Sequence, residues 1–113
     1  MRLFRTAQRE RAVTAMLRHM ENRRFTAALR ALKRYEEGPT PPPHALIRLG
    51  RWLIERGRAR AALRPIRLFL RLYPGHQDRL QVLYDLVRAL SAAGKTAAAK
   101  AAAEEAKRMV GAA

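Results

Sequence analysis

Apolar residues recur along the chain at helical spacing, and no segment alternates apolar and polar residues over the length of a β-strand. The residues that interrupt this pattern are Asn22, the segment 38–43, Gly57, the segment 73–75 and Gly94. The sequence therefore predicts an all-α chain of six helices. These helices are predicted at about residues 5–21, 25–36, 43–56, 59–72, 78–93 and 96–110.

The predicted helices are short, at about 10–17 residues each, and helices of that length are marginal in isolation. Each one therefore has to bury an apolar face against a neighbour. The linkers at residues 22–24, 57–58 and 94–95 are so short that they favour antiparallel neighbours. We expect three αα-hairpins in series, with Asp78 as the N-cap of the fifth helix, where its carboxylate would accept a backbone N–H bond.

The most regular pattern lies in residues 43–76. It reads Leu46-x-x-Leu49-Gly50-x-x-Leu53, then Ala62-x-x-x-Ile66-x-x-Phe69, and it ends at Pro74. The small residues Gly50 and Ala62 stand where the two helices of one hairpin must approach closely, and the larger residues fill the space around them. A similar order of residues recurs from Leu83 to Ala106 and, more weakly, from Ala12 to Tyr35.

This pattern resembles the tetratricopeptide repeat, a helix–turn–helix unit of 34 residues. Three units, at about residues 9–42, 43–76 and 80–113, would fill the chain as a single domain, and about three repeats are needed for a stable stack. The resemblance implies a right-handed solenoid that binds protein segments on the inner surface made by the first helix of each hairpin. In this register the expected groove residues are Val13, Leu17, Ile47, Arg48, Arg51, Tyr84 and Arg88.

Composition adds a large positive charge. Lys and Arg number 24 against 9 Asp and Glu, which gives a formal net charge of +15. Residues 48–71 alone contain eight arginines and one acid, Glu55. Four of these arginines share one face of the fourth predicted helix, at i, i+4, i+7 and i+11, and the resemblance implies that this face is convex. We call these residues the arginine stripe: Arg60, Arg64, Arg67 and Arg71.

The charge indicates acidic partners. The leading hypothesis is a non-enzymatic adaptor whose basic groove binds an acidic or amphipathic segment of another protein, because arginine holds a carboxylate with two hydrogen bonds and tyrosine offers a rigid face. One alternative is a module that binds nucleic acid or an anionic membrane surface. Another is an accessory subunit of a larger complex, with self-association through the Ala-rich last helix. The arginine excess is also typical of a GC-rich genome, in which case the basic faces would only be solvated.

The sequence gives little support for a catalytic, metal-binding or nucleotide-binding site. The chain has no cysteine, and its three histidines lie in separate segments. The triplet 94–96 reads Gly-Lys-Thr, but Ala89 stands where a phosphate-binding loop requires its first glycine. We therefore expect no catalytic residue, no cofactor and no metal. The basic N-terminus lacks the apolar run of a secretory signal, and no transmembrane segment is expected, so a cytoplasmic location is favoured.

Overall fold

The structure is a computed structural model that describes residues 2–36 and 40–112, with solvent exposure for residues 11–34 and 40–111. Within these ranges the chain forms α-helices and no β-strand, so the all-α prediction is confirmed. The helices are α1 (Arg2–Glu21), α2 (Phe25–Glu36), α3 (Pro43–Glu55), α4 (Ala59–Leu72), α5 (Arg79–Ala92) and α6 (Thr96–Ala112). All six agree with the predicted helices to within three residues at each end.

The chain divides into two compact units, Met1–Ala45 and Leu46–Ala113. In the first unit α1 packs against α2, and in the second α5 packs against both α4 and α6. The packing of α1 on α2 and of α5 on α6 is the one that the short linkers at residues 22–24 and 94–95 predict. The second unit contains most of the expected groove residues and the whole arginine stripe, so it is the unit in which a binding site can be described.

The three helix–helix turns share one hydrogen-bond pattern. Two residues after the end of α1, α3 and α5 the chain has a residue with a positive φ: Arg23 at 56°, Gly57 at 74° and Gly94 at 78°. The next residue then donates its N–H to a carbonyl five positions earlier, from Arg24 to His19 (2.7 Å), from Arg58 to Leu53 (2.8 Å) and from Lys95 to Leu90 (2.8 Å). This is the Schellman geometry that closes a helix. Equivalent positions are 34 and 37 residues apart, so the sequence repeat is matched by a repeat in turn structure.

Close approach of α3 and α4 is centred on Gly50. A Cβ atom built on Gly50 would lie 2.8 Å from Cγ1 of Ile66, which is closer than side-chain atoms pack. The same two helices bury the other members of the pattern, Leu46, Leu49, Leu53, Ala62 and Phe69. The absence of a side chain at Gly50 therefore sets the distance between the two helices, as its place in the pattern predicts.

The predicted side-chain cap of α5 is wrong. Asp78 occupies the N-cap position, but its side chain makes no capping hydrogen bond. Its backbone N–H donates instead to Nδ1 of His76 at 3.0 Å. The His76 ring in turn lies edge-on to Phe69, with 5.3 Å between the ring centroids. The imidazole thus orders the segment that enters α5, a role that the linear sequence does not indicate.

Candidate functional site

The second unit contains a buried carboxylate that is bound by an arginine from a different helix. Asp85 of α5 is 5% exposed, and among the described residues it is the only charged one in the core. Its Oδ2 atom accepts a hydrogen bond from Nε of Arg51 on α3 at 2.9 Å. Arg88, one turn further along α5, places Nη1 3.8 Å from the other oxygen, Oδ1. A buried carboxylate is costly unless it is paired, and here Arg51 and Arg88 pair it.

Both arginines reach solvent beyond Asp85. The Arg51 side chain is 40% exposed and the Arg88 side chain is 59% exposed. Arg51 uses Nε for the hydrogen bond to Asp85, so its two terminal Nη groups are left for another acceptor. Because a guanidinium is planar and rigid, fixing one edge also fixes the direction of the other donors. The donors of Arg51 therefore have a direction that is set before any partner arrives, whereas Arg88 is held near Asp85 by charge attraction alone.

Two further side chains extend this surface. Arg48 is exposed on α3, one turn before Arg51. Tyr84 is 44% exposed on α5, four residues before Arg88, and is one of two large exposed hydrophobic side chains in the described residues. Residues three or four apart share a helix face. We call Arg48, Arg51, Tyr84, Asp85 and Arg88 the α3–α5 cluster.

The expected groove residues fall in both units. Ile47, Arg48, Arg51, Tyr84 and Arg88 lie in the second unit, where Asp85 joins Arg51 to Arg88. Val13 and Leu17 are half-buried on α1 of the first unit. Ile47 is half-buried as well, so the exposed apolar contribution of the cluster comes from Tyr84.

Sequence reasoning missed the role of Asp85, because an acidic residue on a helix most often serves as a cap or as a surface ion-pair partner. A signal was nevertheless present. Asp85 lies three residues after Val82 and four before Ala89, and both of these are buried. An acid in the apolar register of an amphipathic helix indicates a buried ion pair, and the basic partner stands 34 residues earlier, on α3.

The arginine stripe lies on the opposite face of α4 from the core. Its four side chains are exposed. The buried face of the same helix carries Ala59, Ala62, Leu63, Pro65, Ile66, Leu68 and Phe69. The sequence of α4 contains no Asp or Glu, and the exposed residues of this helix are all arginines.

Other polar side chains of the second unit make contacts within the fold. Arg79 donates to the Leu70 carbonyl at 3.2 Å and to Oε1 of Glu105 at 2.8 Å, and so connects α5 to both α4 and α6. The guanidinium of Arg56 lies 4.7 Å from the ring centroid of Trp52. In the part of the chain that the structure describes, no three His, Asp or Glu residues are grouped as a metal would require.

Comparison of this chain with protein-family models, with curated proteins and with solved structures returns no match. None of the described helices combines the length and the apolar character needed to cross a bilayer. The described residues thus form an all-α protein in which Arg51 and Arg88 pair with the buried Asp85 and an exposed arginine stripe lies on α4.

Proposed function

We propose that this protein is a non-enzymatic, TPR-like adaptor that binds an acidic segment of a partner protein on the α3–α5 cluster. The observation that carries the proposal is the pairing of Arg51 and Arg88 with the buried Asp85. An apolar residue could fill the same place in the core, but the Asp85 carboxylate fixes the direction of the Arg51 guanidinium at the surface and attracts Arg88 beside it.

The TPR-like arrangement is part of this proposal. It is supported by the identical turns at spacings of 34 and 37 residues. It is also supported by the hydrogen bond from Arg51 to Asp85, which joins the first helices of two successive hairpins across 34 residues. Side-by-side stacking of first helices is the geometry by which such repeats form a continuous binding surface.

The chemistry of the cluster defines the kind of segment that it would bind. Three arginines and one aspartate give the cluster a net charge of +2, which complements two carboxylates. The free Nη groups of Arg51 offer two parallel donors to one carboxylate, and Arg48 lies one turn away for a second. Tyr84 supplies a rigid apolar face for a side chain between the two acids. Pre-orientation lowers the entropy that is lost on binding.

The test measures fluorescence anisotropy of a labelled peptide in which two glutamates flank one leucine. Arg48→Glu should weaken binding at least about tenfold, or 1.4 kcal/mol, and Tyr84→Ala by a similar amount. The matched control is Arg67→Glu on the arginine stripe, which makes the same change in charge on another exposed residue of the same unit. Its effect should stay below about twofold. Equal losses for Arg48→Glu and Arg67→Glu would show that bulk charge alone attracts the peptide, and would refute the proposal.

A further inference from the structure

The α3–α5 cluster concentrates its positive charge on one point. Arg51 from α3 and Arg88 from α5 approach the two oxygens of the same carboxylate, that of Asp85, at 2.9 Å and 3.8 Å. Two guanidinium groups that share one carboxylate can also share a second small anion on their exposed side. The Asp85 side chain is 7% exposed, so an incoming anion would meet the two arginines before it met the carboxylate.

The neighbouring charged residues do not cancel this positive charge. Arg48 lies one turn before Arg51 on α3 and is exposed. Glu55 is the only acid of α3, and its Oε2 atom lies 4.0 Å from Nη1 of Arg56. Asp85 is the only acid of α5. The three arginines of the cluster therefore leave a net charge of +2 after Asp85 is compensated.

A charge concentrated in this way matches a phosphate monoester better than a carboxylate. A phosphorylated serine or threonine carries about −1.5 to −2 charges at pH 7 and has three acceptor oxygens, whereas a glutamate carries one charge and has two oxygens. The two Nη groups of Arg51 can bind two phosphate oxygens, which leaves the third for Arg88 or Arg48. In a nucleic-acid backbone the charge is spread, with one unit on each phosphate, so arginines that converge on one point favour the monoester.

The openness of the cluster indicates that the phosphate belongs to a protein segment and not to a free small molecule. The side chains of Arg51 and Arg88 are 40% and 59% exposed, and Tyr84 is exposed as well. Sites for small molecules are concave and bury about 70–90% of the ligand surface. A phosphate on a longer segment gains further contacts along an open surface, and Tyr84 offers a rigid face to the residue next to it.

From these observations we propose that the acidic segment is phosphorylated, and that a phosphoserine or phosphothreonine side chain binds between Arg51 and Arg88. This inference rests on the proposed function, because it names the group that the same cluster binds. Arg51 makes the paired hydrogen bonds, Asp85 fixes their direction through Nε, and Arg88 adds a second positive charge. The partner would then bind tightly only after it has been phosphorylated, so its phosphorylation would control the assembly.

The experiment measures fluorescence anisotropy of three labelled peptides: the peptide in which two glutamates flank one leucine, and two peptides in which phosphoserine replaces either glutamate. At least one phosphopeptide should bind at least about tenfold more tightly than the glutamate peptide. Arg51→Lys keeps the charge but replaces a planar fork by a point charge, so it should reduce this ratio to below about threefold. The matched control is Arg67→Lys, the same exchange at an exposed residue of the arginine stripe, and it should leave the ratio unchanged.

The outcomes separate this inference from the proposed function. If the phosphopeptides bind no more tightly than the glutamate peptide, while Arg48→Glu still weakens the glutamate peptide, the inference is refuted and the proposed function stands. If none of the three peptides binds, both are refuted. Equal ratios for Arg51→Lys and Arg67→Lys would refute the role of Arg51.

Competition experiments distinguish the possible sources of the phosphate. Inorganic phosphate or a DNA duplex that displaces the phosphopeptide at an equal concentration of phosphate groups would refute the preference for a protein segment. Circular dichroism establishes that each variant remains helical. If Arg51→Lys fails to fold, Arg88→Gln removes the more exposed guanidinium of the pair, and the ratio should again fall below about threefold.

Discussion

Replacement of Gly50 by alanine tests how closely α3 and α4 approach. The new Cβ would lie 2.8 Å from Cγ1 of Ile66. This atom is bonded to the branched Cβ of isoleucine, so it can move little when a neighbour approaches. Such overpacking typically costs about 1–3 kcal/mol. Alanine inside a helix gains about 0.8–1.0 kcal/mol over glycine. The difference leaves Gly50→Ala destabilising by about 1 kcal/mol, which is about 4–8 °C in Tm.

In a protein that already carries Ile66→Ala, the expected effect of Gly50→Ala on stability has the opposite sign. Ile66→Ala removes Cγ1 and Cδ1, the two atoms that the new Cβ would meet. Gly50→Ala should then stabilise the chain by about 1 kcal/mol relative to Ile66→Ala alone, because only the helix-propensity gain remains. Urea unfolding monitored by circular dichroism gives the free energy of unfolding of the unmodified protein, the two single variants and the double variant. The same effect of Gly50→Ala in both backgrounds would refute the contact between Gly50 and Ile66 as the reason for the glycine.

Two further predictions concern turns and ion pairs. Arg23 has a φ of 56° where the equivalent turns use glycine. Arg23→Gly should therefore stabilise the protein by about 0.5–1 kcal/mol in a thermal melt, and a loss of stability would contradict the shared turn geometry. Arg79→Ala removes hydrogen bonds to Leu70 and Glu105 and should cost about 1–2 kcal/mol. Glu105→Gln, which leaves the bond to Leu70, should cost less, and the opposite order would contradict this account of Arg79.

Much of the fold was predictable because its signals are local. Helical spacing and the breaks at Gly57 and Gly94 place the helix ends, and both glycines have the positive φ that a helix stop requires. Gly50 was predicted as a point of close approach, because a glycine among the apolar positions of a helix leaves room for a neighbouring helix. Exposure of the arginine stripe also follows from its spacing along one helix.

The site depends on pairings between distant residues, which local patterns do not specify. The sequence placed Arg51 on an expected groove surface, but it did not indicate that this arginine would meet Asp85 rather than Glu55, four residues away on the same helix. The same holds for Arg79, whose partners are 9 and 26 residues away. In a chain with 24 basic residues and 9 acidic ones, the tertiary structure decides which arginines are paired.

The pre-orientation of Arg51 by Asp85 is tested most directly by titration calorimetry of the Glu-Leu-Glu peptide with two variants. Asp85→Asn and Glu55→Gln each remove one negative charge, from a buried residue and from an exposed residue of the second unit respectively. If bulk charge drives binding, both variants should bind more tightly. The arrangement of the α3–α5 cluster predicts instead that Asp85→Asn binds at least about fivefold more weakly, or about 1 kcal/mol, while Glu55→Gln binds as well as the unmodified protein or better. Tighter binding by Asp85→Asn would contradict it.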